Sequence, residues 1–244
     1  MEKSQFYRTL PEIEFQDIAG RILYEDNHLL IFNKRSGEIV QGDKTEDEPL
    51  PETLKAFIAQ RDNKPSRVFM GVPHRLDRPV SGIVIFAKTS KALERMSEQF
   101  RTGDVSKYYW ALTEKSPEPQ IGVIRSYLTR NEKQNKSYSH NSPKPGAKEA
   151  ILEYRLIEPT KNYFLVEVKL LTGRHHQIRC QLASIGCVIK GDLKYGAKRS
   201  NPDGGISLHA RSVEFLHPVT KQLLTIVAPV PNEPLWKEME NKAI

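Results

Sequence analysis

The sequence predicts an α+β fold, with a mainly antiparallel (mixed) central sheet flanked by helices and loops. Three observations predict it. Short apolar strands outnumber amphipathic helices, several of those strands are separated only by turn residues, and no βαβα alternation occurs. At 244 residues the chain can bury a substantial core. Neither an internal repeat nor a domain boundary is evident, so residues 1–20 read as a short polar lead-in and 21–244 as one domain.

In order, GRILYEDNHLLIFNK holds two apolar clusters, Ile22–Tyr24 and Leu29–Phe32, about an EDN turn, and predicts a hairpin. LPETLKAFIAQRD spaces Leu54, Phe57 and Ile58 for a short helix. Ile83–Ala87 is an uninterrupted apolar run, as in a buried strand. Ser90 is placed to cap a helix with Leu93, Met96, Gln99 and Phe100 as its stripe, and Gly103 to end it. KYYWALTE reads as a strand. The basic stretch 125–148 has no regular apolar period and reads as an excursion between strands. AILEYRLIE and YFLVEVKLL read as paired strands, the second alternating through Phe164, Val166, Val168 and Leu170. HHQIRCQLASI predicts a helix ending at Gly186, with Ile178, Leu182 and Ile185 buried. ISLHARSVEFL and LLTIVAPV, joined by HPVTK, close the chain as a hairpin.

Lys and Arg outnumber Asp and Glu by 37 to 30, a net charge of +7 that suits a polyanionic partner. Cys180 and Cys187 are too few for a disulfide framework. On one helix, seven residues would separate them by roughly 10 Å, beyond disulfide reach. A reducing, cytoplasmic setting is expected, with no signal peptide and no membrane span. Glycine-rich phosphate loops, paired CxxC motifs and a hydrolase triad are all missing. His175, His176, Cys180 and Cys187 lie close in sequence without a convincing ligand spacing, so no metal and no cofactor is expected.

Two clusters are left to carry chemistry. HRLDRPVSG sets Asp77 between Arg75 and Arg78, just ahead of the buried run. LLTGRHHQIRCQL sets Arg174 near a helix start and Arg179 beside the apolar stripe, where a guanidinium needs a partner. Asp77 is a candidate for that partner; from spacing alone, a plain internal ion pair is the favoured reading.

HRLDRPVSGIVIFAK and LLTGRHHQIRCQLASIGCVIKGDLKYG resemble two signatures of the RluA-type pseudouridine synthases, the HRLD loop and the GRxHQIR helix with its trailing GDxxYG. ILYEDNHLLIFNK, KYYWAL and LHARSVEFLHP match in the same order, over about residues 20–230. The resemblance implies the pseudouridine synthase catalytic fold and an RNA substrate, ribosomal or transfer. It makes Asp77 the catalytic aspartate, Tyr109 of the KxYxA pattern the active-site tyrosine, and Arg179 the partner of the aspartate. Leu208 is a weaker match to an apolar residue of the base pocket. Arg75, Arg78, Arg174 and the 125–148 stretch become candidates for holding RNA. Asp77 would act either as nucleophile at C1′ or as general base at the 2′ position. Arg35, Glu38, Val80 and His175 depart from the family pattern, at positions that bear on substrate rather than reaction. Many relatives carry an N-terminal S4-type RNA-binding domain, and none is expected from this sequence; nor is an obligatory protein partner, and a monomer is expected. A non-catalytic RNA-binding or ribosome-assembly factor on the same fold is the alternative.

Overall fold

The computed structural model describes residues 6–243 apart from Lys44, Pro65 and Lys161. The strands are β1 (Ile22–Glu25), β2 (Leu29–Lys34), β3 (Ser81–Ala87), β4 (Ser106–Thr113), β5 (Ile121–Asn131), β6 (Lys136–His140), β7 (Lys148–Pro159), β8 (Phe164–Leu170), β9 (Leu208–Leu216) and β10 (Leu223–Val227). They form one sheet in the order β1-β2-β3-β9-β4-β8-β7-β5-β6, with β10 paired to the far half of β9. Every pairing is antiparallel except β3 with β9, which is parallel and confined to Ser81–His209 and Gly82–Ala210. The fold is therefore α+β on a mixed, mostly antiparallel sheet, as the strand-rich pattern predicts.

Around the sheet lie α1 (Glu12–Ala19), α2 (Leu50–Arg61), α3 (Ser90–Thr102), α4 (Gln177–Ser184) and α5 (Pro234–Ala243), with a 3-10 turn at Leu193–Tyr195. None of them is long and apolar enough to cross a membrane. Every residue of β3 is buried, so its sequence is apolar without alternation. Leu29–Phe32 of β2 and Leu54, Phe57 and Ile58 of α2 pack in the same core. A second cluster sets Trp110, Leu112 and Leu165 against Trp236 and Met239 of α5.

Several local expectations need correction. The helix α3 is capped by Thr89, not Ser90: the Thr89 side chain accepts from Ala92 N at 3.2 Å. Its end at Gly103, φ +86°, is as expected. The polar lead-in contains α1, where Ile18 is buried and the Phe15 ring lies 4.7 Å from that of Phe57. The basic excursion is a hairpin, β5–β6, and a seven-residue loop, 141–147, leads from it into β7, which pairs with the other edge of β5. Ile124, Ser126 and Leu128 alternate inward on β5, and the polar member of that row hides the period. The helix through Arg179 starts two residues later than expected, since His176 has φ +52°. It ends at Ser184, which leaves Ile185 39% exposed rather than in the stripe. Cys187 lies past the helix, and both cysteines are free and buried.

Gly82 is where β3 meets β9. Its φ is +110°, and a Cβ there would stand 2.4 Å from the backbone oxygen of Ala210. Neither backbone can yield without opening the parallel pairing. Gly82→Ala is expected to cost about 2–4 kcal/mol of unfolding free energy, checked by urea denaturation.

Candidate active site

The helix α4 has a polar face that is buried as thoroughly as its apolar one. Gln177, Arg179 and Gln181 are 3%, 5% and 0% exposed, and each is held by partners. Gln177 accepts from Arg174 N and the Thr172 hydroxyl and donates to Ile151 O, fixing the turn before the helix. Gln181 Nε2 lies 3.2, 3.0 and 3.0 Å from Ile124 O, Ser126 Oγ and Ala150 O and shares its two hydrogens among them, fastening the helix to β5 and β7. Between these two amides Arg179 has little freedom to move.

Arg179 grips two carboxylates. Its Nε and Nη2 donate to Asp192 at 2.7 and 2.9 Å, and its Nη1 donates to Asp77 Oδ2 at 3.1 Å. The Asp192 side chain is 1% exposed while that of Asp77 is 30% exposed, so the first pair is structural and the second opens to solvent. Both acids keep the Arg179 guanidinium charged against the cost of burial, raising its pKa. Asp192 thus orients the arginine, and the arginine orients Asp77.

Asp77 sits in a loop tied down by its own carbonyls. Lys34, 1% exposed at the end of β2, donates to Arg35 O, Arg78 O and Val80 O at 2.9, 3.0 and 2.6 Å. Ile206 N donates to Pro79 O and Val80 N to Asp77 O, both at 3.0 Å. Burial pulls the pKa of Lys34 down to about 7, against the pull of Glu38 and Asp77. A folded-state pKa below that of the unfolded chain means stability rises with pH between the two values. Lys34→Met is expected to cost about 2–3 kcal/mol by leaving carbonyls unpaired. In urea titrations the gap between wild type and Lys34→Met should widen from pH 7 to pH 9.

These groups open onto a cleft of about 900 Å³ whose lining includes Asp77, Tyr109, Arg179 and Leu208. A bulge at Arg211 of β9, opposite Tyr108 and Tyr109, sets Tyr109 on the cleft side and Trp110 in the cluster under α5. Tyr109 is 8% exposed; burial, then the negative charge of Asp77, raises its pKa above the ordinary phenol value, so it keeps its proton. Leu208, 3% exposed at the start of β9, supplies an apolar wall. Arg75, Arg78 and Arg174 line the same cleft. Each has a local partner: Arg75 donates to Gln41 Oε1, Arg78 to Thr45 and Asp47, and Arg174 to Glu149 O. The Arg78 side chain is 38% exposed, and such surface pairs are readily exchanged for other anions. The departures Arg35 and Glu38 lie away from the carboxylate, pairing with Asp17 and Arg21. The departure His175 lies in the cleft, its ring 3.8 Å from that of His176.

Sequence reasoning missed Asp192, Tyr195 and Lys34. The first two stand in GDLKYG, where a Gly-Asp pair ahead of a tyrosine near a buried arginine was the available signal. Lys34 gave none, because two of its three acceptors, Arg78 O and Val80 O, belong to chain distant from it. Among the described residues, no group of three or more His, Cys, Asp or Glu is placed to hold a metal ion.

A family model described as RNA pseudouridylate synthase matches residues 28–184. A ribosomal large subunit pseudouridine synthase C of Vibrio cholerae is 35% identical over 215 residues, covering 86% of this chain and 65% of that protein. A ribosomal large subunit pseudouridine synthase D of Xylella fastidiosa is 33% identical over 232 residues, covering 89% and 68%. The chain thus spans about two thirds of the length of these relatives. Among solved structures, the human RNA pseudouridylate synthase domain containing 4 has the same fold, with a TM-score of 0.77, 23% identity and 95% of each chain covered. With more than half its length matched by the family model, and relatives this similar, the chain belongs to the RNA pseudouridylate synthase family.

Proposed function

We propose that this protein converts uridine to pseudouridine in structured RNA, ribosomal or transfer, with Asp77 as the catalytic carboxylate. The observation that carries the reading is the Asp192–Arg179–Asp77 chain, which presents one aimed, partly solvent-open carboxylate in the cleft. The names of the relatives favour ribosomal RNA.

The reaction breaks N1–C1′, turns the base, joins C5 to C1′, and moves a proton from C5 to N1. It is an isomerisation, and calls for no oxidant, reductant or cofactor. The base must leave the helix stack first, since C1′ and C5 are not accessible together within it. Asp77 then attacks C1′ or removes the 2′ proton, and in either role Arg179 holds the carboxylate in its orientation. Tyr109 offers its ring to the flipped base, and Leu208 helps exclude the water that would leave an abasic site. Arg75, Arg78, Arg174 and the β5–β6 hairpin contact the RNA backbone. We read residues 21–244 as one catalytic domain, working as a cytoplasmic monomer.

A hydrolase on this site would want a second carboxylate to protonate the leaving group. Asp192 does not serve, being 1% exposed with both oxygens bonded to Arg179. The test is RNA made from uridine tritiated at C5, incubated with the protein and EDTA. Tritium release without free uracil is expected. Free uracil would indicate a hydrolase, and binding without release the assembly-factor alternative.

A further inference from the structure

The two oxygens of Asp77 are not equivalent. Oδ2 accepts from Arg179 Nη1 at 3.1 Å and stands 3.5 Å from His176 Nε2. Among the described residues, Oδ1 accepts no hydrogen bond. His176 is buried, its side chain 5% exposed, and its backbone is left-handed, φ +52°, a region few non-glycine residues occupy although histidine enters it more readily than most. Strained residues of this sort concentrate at functional sites.

The other face of the His176 ring is fixed by Tyr195, whose hydroxyl lies 3.1 Å from Nδ1. That hydroxyl accepts from Ser137 N at 2.8 Å, which engages a lone pair and leaves its proton to go to His176 Nδ1 or to Ser137 O. The competing acceptor, Ser137 O, is longer at 3.2 Å and already takes the Cys180 thiol at 3.3 Å. A hydroxyl proton aimed at Nδ1 leaves the imidazole proton on Nε2, the nitrogen facing Asp77. The opposite tautomer would turn a lone pair toward an ionised carboxylate. Burial, with Arg179 and His175 adjacent, lowers the pKa of His176 to about 2, so the ring is neutral.

We propose that His176 is a positioning residue: Tyr195 fixes it as the Nε2–H tautomer, that N–H and Arg179 together hold Oδ2, and Oδ1 is left as the atom that meets the ribose. The 3.5 Å separation is long for a hydrogen bond, and catalytic contacts of this kind tighten in the substrate complex. The assignment rests on Asp77 being the catalytic carboxylate, and neither His176 nor Tyr195 needs to touch the base.

Two measurements test it, the first needing no RNA. In protein labelled with 15N-histidine, long-range 1H–15N correlation should show His176 as the neutral Nε2–H tautomer from pH 6 to 8. Its signal is identified by its loss in His176→Gln. Tyr195→Phe should mix the two tautomers. An Nδ1–H tautomer or an imidazolium in wild type overturns the proposal. The second is kinetic: His176→Phe keeps a ring without the N–H, and should lower kcat about tenfold or more with KM within about twofold. His176→Gln, which can return an N–H to the Nε2 position, should recover most of that loss. Equal loss in both variants, or a change in KM alone, overturns it. Should wild type itself release no tritium, the functional reading fails, while the tautomer measurement still decides this one.

Discussion

Asp77→Asn is expected to lower tritium release from C5-labelled RNA by at least about a thousandfold while RNA binding changes little. The substitution keeps the shape of the side chain and removes its charge, so neither attack on C1′ nor abstraction of the 2′ proton is open to it. Little else should change. The Asp77 side chain is 30% exposed, and Arg179 keeps its bidentate contact with Asp192 whatever stands at position 77. Unfolding free energy should therefore stay within about 1 kcal/mol of wild type. Rates by tritium release, binding by filter retention and stability by urea titration separate the effects. Activity above a few per cent of wild type would remove Asp77 from the chemistry.

Arg179→Met is the second large effect, and it strikes stability as well as rate. It strands Asp192, 1% exposed, without the cation that offsets its burial. Breaking such a pair from one side costs about 3–5 kcal/mol. Activity should fall by about a hundredfold or more, since Asp77 loses the donor that orients it. The double variant Arg179→Met, Asp192→Asn distinguishes the two roles. Removing the stranded charge should restore most of the stability, read in urea, and none of the tritium release. Recovery of both would make Arg179 a purely structural residue.

The sheet was legible because its strands carry their burial in their own residues. The uninterrupted run Ile83–Ala87 and the pairing of 150–158 with 163–171 needed no tertiary information beyond the apolar pattern. β5 was hidden for the opposite reason. Ser126 faces inward on it, acceptable only because Gln181, some fifty residues on, comes down to bond it. The Asp77–Arg179 contact was legible as a buried guanidinium in want of an acid. That it would be shared with Asp192 was not, because a second carboxylate is visible only once the turn at Ile189–Asp192 brings it under the helix. Lys34 shows the limit most plainly: a lysine closing an apolar strand reads as a surface residue. Its burial depends on carbonyls delivered by the loop at 78–80. His176 looked like a helical residue in a helical stretch, and nothing in the letters announces a left-handed backbone.

The central pairing of β3 with β9 joins chain segments more than 120 residues apart, and the Asp77–Arg179 contact spans 102. Contacts of that range form late, after the local hairpins, because their loop-closure entropy must be overcome first. A chain that has made only its short-range turns holds the carboxylate and the guanidinium on separate, unjoined pieces. It can still attract RNA through its positive charge, but it has no oriented acid to turn on a ribose. With Asp77 as the proposed catalytic carboxylate, reactivity is reserved for copies whose sheet has closed, and a partly folded molecule on RNA is expected to be inert rather than destructive.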